Sequence, residues 1–402
     1  MNALAHIPYG CWWSTPFARW QGSLSDLHSL KLAAHVARDA LAARGIDAGL
    51  VDYAVLGTTV PQKGSFYGLP WVMAMLGAEG VAGPTIAQAC ATGARILASS
   101  CDEIGRGDAS VALAIAADRV SNGPQLYYPA PSGPGGAGEP ENWVLDNFGK
   151  DPHAGVPMVR TAENVAAEVG ISLEEQHEVA LCRYEQYQAA LADDHAFQRR
   201  FMILPFDVPD PRFRKVVHRM TGDEGIHPTT AEGLARLRPV LDGGTVTYGA
   251  QTHPADGNAG MVVTSAERVG DLTRDKGISV RILSFGQARE RVAFMPAAPI
   301  PAARRALAAA GLEIADIDAI KTHNPFAVND IAFARAFGID TGRMNNYGCS
   351  LVWGHPQGPT GLRSVIELIE ELALRGGGTG LFVGCAAGDS AMAVVLHVGD
   401  PA

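Results

Sequence analysis

The first 120 residues alternate between helical and extended patterns of hydrophobic positions. A helical pattern begins at Ser25, with apolar residues three and four positions apart, and ends at Gly45. An extended run follows at residues 51–59, and a second apolar helix is predicted over 70–76. Residues 110–117 are almost entirely apolar, which is typical of a strand buried on both faces. The alternation of strands and helices predicts a largely parallel sheet covered by helices.

Part of this pattern occurs twice in the chain. Residues 40–59 and 306–325 both contain a helix, a glycine that ends it, a short acidic linker and a strand. Residues 110–118 and 380–389 form a second similar pair of strand-to-turn segments. Any two alanine-rich helices can resemble each other by chance. The two segments also share a glycine and an aspartate at the same positions, which favours a true repeat. Two βαβαβ halves predict two sheets with helices between and outside them.

The region between the repeats has a different character. Residues 121–157 are rich in proline and glycine and show no periodicity, which predicts a long functional loop without regular structure. Helical patterns resume over residues 161–192. The basic residues that follow are Arg199, Arg200, Arg212, Arg214, Lys215, His218 and Arg219. They form either an ordinary solvated surface or a site for the phosphates of a nucleotide-like ligand.

Length and charge narrow the classes of protein. A chain of 402 residues exceeds the usual size of one hydrophobic core, so we expect at least two packed units. The formal net charge of −10 argues against nucleic acid as a partner. Six widely spaced cysteines without a CxxC pair are typical of reduced thiols, and we expect a cytoplasmic protein. We expect no signal peptide and no membrane span, since no run of about 18 apolar residues occurs.

The most informative cysteine is Cys90, where an apolar segment meets the start of a predicted helix. A thiol at the first turn of a helix faces unpaired N–H groups and the positive end of the helix dipole, so we expect a lowered pKa. Small residues after it, including Gly93, leave room for a substrate. The alternative is a buried structural cysteine at a tight junction between strand and helix.

Three further reactive side chains follow predicted strands or lie in glycine-rich segments of the second half. These are His323, His355 and Cys385. None of them is paired at the short spacing that metal ligands on one helix show. Two cysteines and two histidines at such positions fit covalent acyl transfer better than a metal site.

Together these motifs resemble those of the thiolase family, and the resemblance extends along nearly the whole chain. The similar segments are residues 14–17 with 21–24, the segment around Cys90, Met158 with 161–166, residues 223–224 with 234–239 and 244–247, residues 346–361, and residues 384–388. Because several motifs occur in the same order, the resemblance is specific.

The resemblance implies the thiolase fold, an α/β architecture. Its two pseudo-repeated βαβαβ halves form a layered α-β-α-β-α core with an inserted loop domain. We place the N-terminal half at 1–120 with a return segment to about 265, a loop domain that binds coenzyme A at 121–250, and the C-terminal half at 266–402. The family also implies acyl-CoA and coenzyme A as substrates, no permanently bound cofactor, and a homodimer or homotetramer. Some members work with a small accessory subunit that binds acyl-CoA.

By the same resemblance, Cys90 accepts the acyl group, His355 takes its proton, and Cys385 exchanges a proton with the α-carbon of the substrate. His323 would help to build one oxyanion hole, and the backbone N–H groups of Cys90 and Ala387 would build the other. The residues expected to contact substrate or coenzyme A are Met158, Tyr248, Thr252, Asn324 and Phe326. No metal is expected.

The chain departs from the usual family motifs near the substrate. Asn324 and Pro325 replace the usual Glu-Ala after His323, and Tyr248 stands where alanine is common. A Cys-Ala-Ala-Gly segment at Cys385 replaces the usual Cys-x-Gly-Gly-Gly. We therefore expect cleavage or formation of a 3-oxoacyl-CoA with a bulkier or unusual chain, aromatic or dicarboxylic.

Two other functions remain open at this point. A decarboxylating or condensing β-ketoacyl synthase would use a similar nucleophile, but such relatives lack the second catalytic cysteine, so Cys385 argues against it. A non-catalytic subunit that organises a complex would not need the reactive residues, which this chain retains.

Overall fold

The computed structural model describes residues 3–400. Residues 1–2 and 401–402, which the predicted halves include, lie outside this part. The first elements are β1 (Ala5–His6), β2 (Trp12–Ser14), β3 (Ala18–Arg19), α1 (Ser29–Ala42), β4 (Tyr53–Gly57), α2 (Leu69–Leu76), β5 (Thr85–Ile86), α3 (Thr92–Arg106) and β6 (Val111–Arg119).

The middle of the chain contains β7 (Gln125–Tyr128), β8 (Glu139–Asn142), α4 (Leu145–Gly149), α5 (Met158–Val169), α6 (Leu173–His195), β9 (Phe206–Pro209), β10 (Val216–Met220) and α7 (Ala231–Ala235). The last elements are β11 (Ala255–Thr264), α8 (Ala266–Leu272), β12 (Ser279–Arg289), α9 (Pro299–Ala310), β13 (Ala319–His323), α10 (Ala327–Phe337), α11 (Ser350–Trp353), α12 (Gly358–Leu374), β14 (Gly378–Ala386) and β15 (Ser390–Gly399).

The elements stack in five layers. Helices α3 and α12 pack on each other in the centre, α3 against β4, β6 and β11, and α12 against β13 and β14. Helices α1 and α2 cover the outer face of the first group of strands, and α9 covers β12 and β15 on the other side. This is the predicted α-β-α-β-α arrangement, because each group of strands buries apolar side chains on both of its faces.

The prediction of a largely parallel sheet is wrong. Strand β4 runs parallel to β5 and β6, and β13 runs parallel to β14. The pairs β6–β11, β12–β15 and β14–β15 are antiparallel. In the order β13-β14-β15-β12-β1-β11-β6-β4-β5, the short strand β1 connects the two groups of strands by hydrogen bonds. Hairpins such as β14–β15 return directly and need no crossover helix, so the alternation of elements alone does not reveal their direction.

The prediction that residues 121–157 lack regular structure is also wrong. Strands β7 and β8 form an antiparallel hairpin in this region, with Tyr128 opposite Glu139. The short helix α4 follows the hairpin. Hairpins of four-residue strands are too short to give a clear periodic signal, and the glycines between them hide the pairing.

No helix among residues 3–400 combines the length and the apolar character that crossing a bilayer requires.

Candidate active site

Cys90 lies in a tight turn between β5 and α3. Ala89 before it has a φ of +44°, a left-handed conformation that is unfavourable by on the order of 1 kcal/mol or more for any residue other than glycine. The Thr92 hydroxyl supports this turn, since it donates to the carbonyl of Ala89 at 2.7 Å and accepts from the N–H of Gln88 at 2.8 Å. Cys90 therefore precedes the first turn of α3 and projects from a constrained backbone.

Two glycines bring this turn close to the start of α12. A Cβ atom at Gly93 would stand 2.5 Å from the backbone nitrogen of Leu362. A Cβ at Gly361 would stand 3.2 Å from the nitrogen of Ala94. Because α3 and α12 approach this closely at their N-terminal ends, the loop that carries His355 lies beside Cys90.

The two histidines stack against each other next to the nucleophile. His323 ends β13 and His355 precedes α12, and their ring centroids are 4.0 Å apart at an interplanar angle of 22°. One nitrogen of each ring and the Sγ of Cys90 all lie within 4.8 Å of one another. The structure therefore brings these distant residues together, since each one follows a strand or precedes a helix at the same edge of the core.

Each histidine has one nitrogen bound and one free. Nδ1 of His323 lies 2.9 Å from Ser350 Oγ, and Nδ1 of His355 lies 2.6 Å from Thr360 Oγ1. Neither Nε2 atom makes a hydrogen bond within the described residues 3–400, although both are buried. Burial lowers the pKa of His323 to about 3 and that of His355 well below its usual value. Both rings are neutral at pH 7, so each carries one N–H donor and one lone pair.

Cys385 is the second thiol of the site. It lies in β14 and is fully buried, and Asn329 of α10 donates its side-chain amide to Sγ at 3.3 Å. Burial and the nearby Cys90 raise the pKa of Cys385 well above its usual value. Cys385 is therefore a neutral thiol with a proton to give.

The expected low pKa of Cys90 is not found. Burial raises its pKa to about 11, although the backbone N–H groups of Ala387 and of Cys90 itself interact with the thiol and lower the pKa. Loss of water outweighs these two donors, because the thiolate is the form that burial disfavours. The same two N–H groups are those expected to form an oxyanion hole, and both converge on the reactive sulfur.

A cavity of about 640 Å³ opens beside Cys90, His355 and Ala387. Four of the five residues expected to contact substrate line it: Met158, Tyr248, Thr252 and Phe326. The exception among the five is Asn324, so that expectation is corrected.

Asn324 is fully buried behind His323 rather than exposed to the cavity. Its side-chain amide donates to Asp330 Oδ2 at 2.8 Å. Asp330 also binds Arg183 of α6, with 2.8 Å between Nη2 and Oδ2. The position that usually carries a glutamate therefore belongs, in this chain, to a polar network that anchors α10 to α6.

Several residues at the site have no clear signal in the sequence. The cavity is also lined by Tyr128, Trp143, Phe148, Val240 and Met295. The two aromatic residues Trp143 and Phe148 stand out in the proline- and glycine-rich region, which is the one available signal for them. Ser350, Thr360 and Asn329 are missed because they act through partners that only the fold brings near.

The basic residues after α6 lie elsewhere. None of them is among the described residues that line the cavity. Arg199 pairs with Asp194, Arg200 with Glu370 and Arg219 with Asp207, at 2.9, 2.7 and 2.6 Å. The structure favours the interpretation of an ordinary solvated surface.

Cys90, His323 and His355 are also a set of potential metal ligands, and within residues 3–400 no second such group occurs. A thiolate and two neutral imidazoles are typical ligands of Zn²⁺. Sequence spacing misses such a set because its members come from three separate elements. Two free imidazole nitrogens beside a thiol also suit a carbonyl substrate, which needs a nucleophile and hydrogen-bond donors.

Two family models cover almost all of the chain. The model for the thiolase N-terminal domain matches residues 13–267, and the model for the thiolase C-terminal domain matches residues 277–398. The chain belongs to the thiolase family. It is an acyltransferase, as the sequence predicts, since the thiolases that it matches are acyltransferases.

Individual thiolases match over nearly their full length. An acetyl-CoA acetyltransferase of Escherichia coli is 33% identical over 393 residues, with 95% of this chain and 96% of the relative covered. The human mitochondrial 3-ketoacyl-CoA thiolase is 29% identical over 401 residues, with the same shares covered. The crystal structure of the human mitochondrial 3-ketoacyl-CoA thiolase in complex with CoA has a TM-score of 0.88 and 28% identity, and 99% of each chain is covered. The thiolase fold predicted from the sequence is confirmed.

Proposed function

We propose that the protein cleaves or forms a 3-oxoacyl-CoA, with coenzyme A as co-substrate and a thioester on Cys90 as the intermediate. The observation that carries this proposal is the meeting of one thiol and two imidazole rings, with the sulfur and one nitrogen of each ring within 4.8 Å of one another. Burial, and next to it the neighbouring Cys90, raise the pKa of Cys385, so this second thiol keeps its proton.

In the cleavage direction, His355 takes the proton of Cys90 and the thiolate attacks the 3-oxo carbon. The bond between C2 and C3 then breaks, and the electron pair leaves on the enolate of the shorter acyl-CoA. Cys385 gives this enolate a proton at carbon. Coenzyme A next loses its proton to Cys385, attacks the thioester and expels Cys90, which recovers its proton from His355. Dividing the reaction in this way replaces one high barrier with two lower ones.

Two groups of donors stabilise the negative oxygens. The N–H groups of Cys90 and Ala387 converge on the sulfur of Cys90 and would face the oxygen of the carbonyl bonded to it. The rings of His323 and His355 would hold the enolate oxygen. Each such donor typically contributes about 3 kcal/mol to the transition state.

The cavity favours an apolar, bulky acyl chain. Most of the residues that line it are apolar, and the larger ones include Tyr128, Trp143, Phe148, Met158 and Met295. Within the described chain, no lysine or arginine lines it. Glu141 does line it and would repel a second carboxylate. Of the two chains expected from the sequence, the aromatic one therefore fits better than the dicarboxylic one.

A panel of 3-oxoacyl-CoAs tests this proposal. We expect kcat/KM to be at least about tenfold higher for an aryl-substituted 3-oxoacyl-CoA than for acetoacetyl-CoA or a terminally carboxylated chain, a difference of about 1.4 kcal/mol. Mass spectrometry should find the acyl group on Cys90, and C90A should remain unmodified. Fastest turnover with acetoacetyl-CoA would refute the substrate class. A wild-type Cys90 that stays unmodified with every substrate would refute the reaction.

We further propose that the protein forms homodimers through the edge of its sheet at β5. Strand β5 is the last strand in the sheet order, so within residues 3–400 no strand pairs with its outer side. The segment before α2 lies beside this edge, since the N–H of Leu69 donates to Thr85 Oγ1 at 2.9 Å. In this segment Phe66 and Tyr67 are 94% and 73% exposed, which is unusual for neighbouring aromatic residues. A two-fold pairing of this edge with a second copy would cover both features.

A further inference from the structure

The hydroxyl of Ser350 is placed to control which nitrogen of His323 carries the hydrogen. Ser350 begins α11 and is fully buried, and its Oγ lies 2.9 Å from Nδ1 of His323. The carbonyl of Ser350 accepts a hydrogen bond from the Thr252 hydroxyl, which holds this residue in place from the other side. His323 is 27 residues away in the sequence. One nitrogen of its ring lies within 4.8 Å of the Cys90 sulfur, and its Nε2 is the buried nitrogen that makes no hydrogen bond within residues 3–400.

A neutral imidazole has a single N–H, so its two nitrogens have opposite roles. If Nδ1 accepts from Ser350, Nε2 carries the hydrogen and is a donor. If Nδ1 donates to Ser350, Nε2 carries only a lone pair and has no hydrogen to donate to a negatively charged oxygen. The second arrangement requires the Ser350 hydroxyl to point elsewhere.

The Ser350 hydroxyl has one other acceptor nearby. The side-chain oxygen of Asn324 lies 3.4 Å from Oγ, which is longer than the usual hydrogen bond between oxygens, whereas Nδ1 lies at 2.9 Å. The Asn324 amide is directed away, since it donates to Asp330. The distances therefore favour donation from Ser350 to His323.

In the proposed reaction the two histidines need their hydrogen on different ring nitrogens. His355 must keep a lone pair on Nε2 to take the proton of Cys90, so its Nδ1–H donates to Thr360 Oγ1 at 2.6 Å. His323 takes no proton in the proposed reaction and contributes only as a donor. Because both rings are neutral, nothing but their hydrogen-bond partners distinguishes them.

We propose that Ser350 is a positioning residue that holds His323 in the form with hydrogen on Nε2, so that this nitrogen donates to the substrate oxygen. This inference rests on the proposed function.

The kinetic test removes the hydroxyl in two backgrounds. S350A should lower kcat about tenfold, which is less than the hundredfold or more that the loss of a complete oxyanion donor costs. KM should change less than about threefold, since Ser350 does not line the cavity. In H323N, the side-chain amide at position 323 keeps its N–H donors whether or not Ser350 is present. In this background S350A should therefore change kcat less than about twofold. S350T, which keeps the hydroxyl, should restore most of the activity.

The control is S100A, which removes another fully buried serine hydroxyl, one that donates to the Ile96 carbonyl within α3. It should leave kcat unchanged. An equal loss from S350A in the wild-type and H323N backgrounds would mean that Ser350 is merely structural, and no loss in either would also overturn the proposal.

A second measurement does not depend on turnover. The ¹⁵N shifts of histidine-labelled protein, assigned with H323N, report which ring nitrogen is protonated. We expect Nε2 of His323 to carry the hydrogen in the wild type and a mixture of forms in S350A. Hydrogen on Nδ1 in the wild type would overturn the inference. If the shifts agree but Cys90 is never acylated, the proposed function fails and the tautomer assignment stands.

Discussion

At the scale of the residue, burial determines the form of each reactive group. It lowers the pKa of His323 to about 3 and raises that of Cys90 to about 11, so both are uncharged at neutral pH. Cys385 is likewise held as a thiol. The free site is therefore a set of neutral groups, and charge develops only when a substrate carbonyl accepts it.

The neutral thiol of Cys90 gives a testable dependence on pH. Because its pKa is about 11, the thiolate fraction rises about tenfold per pH unit below that value. We expect the rate of iodoacetamide alkylation at Cys90 to rise in the same way between about pH 7 and 10. Mass spectrometry of the peptide that contains Cys90 measures this rate.

C90A controls for alkylation at other thiols. A rate that levels off below about pH 8 would contradict this prediction, because it would indicate a thiolate paired with a charged histidine.

At the scale of the element, α12 combines the central packing with a row of buried charges. Arg363 binds Asp223 through two hydrogen bonds of 2.6 and 2.8 Å and Glu367 through one of 2.9 Å. Glu367 also pairs with Lys321 of β13 at 3.2 Å. These side chains are at most 2% exposed, so the network connects α12 to β13 and to the segment after β10 out of contact with bulk solvent.

Removing the guanidinium should destabilise the protein strongly. R363M leaves Asp223 and Glu367 buried without their partner, and we expect the free energy of unfolding to fall by about 3–5 kcal/mol. Urea denaturation at a fixed protein concentration measures this change.

The matched control is R106M, whose arginine is 56% exposed and pairs with Glu103 and Asp108. It should cost far less stability, because water and salt screen an exposed ion pair. An R363M variant as stable as R106M would show that the buried network adds nothing to stability.

At the scale of the whole molecule, the cavity joins parts of the chain that are far apart in sequence. Its lining includes Cys90 before α3, Trp143 after β8, Met158 of α5, Phe326 before α10 and Ala387 after β14. In the proposed reaction the acyl chain would therefore contact the middle region, while the chemical steps would take place between the two predicted halves. The predicted boundaries at 121–250 and 266 remain a proposal.

The proposed homodimer is tested on the same scale. Replacing Phe66 and Tyr67 with serine should convert the dimer to a monomer in light scattering, because both rings are exposed in the single chain. V217S removes an exposed apolar residue of β10, 56% exposed, and should leave the mass unchanged. A monomeric wild type would contradict the proposal.

The sequence alone determines the layered architecture and the identity of the reactive groups. Helical and extended patterns are local, so they predict α1, α2 and β6 to within a few residues. The motifs around Cys90, His323, His355 and Cys385 predict acyl transfer, since these residue types in this order suit that chemistry.

Only the tertiary structure decides the direction of the strands, the protonation of the site and the residues that support it. Ser350 binds His323 across 27 residues, and Asn329 binds Cys385 across 56. Asn324, expected at the substrate, faces Asp330 instead. Burial and long-range hydrogen bonds depend on neighbours that folding brings together, and for this reason no local pattern predicts them.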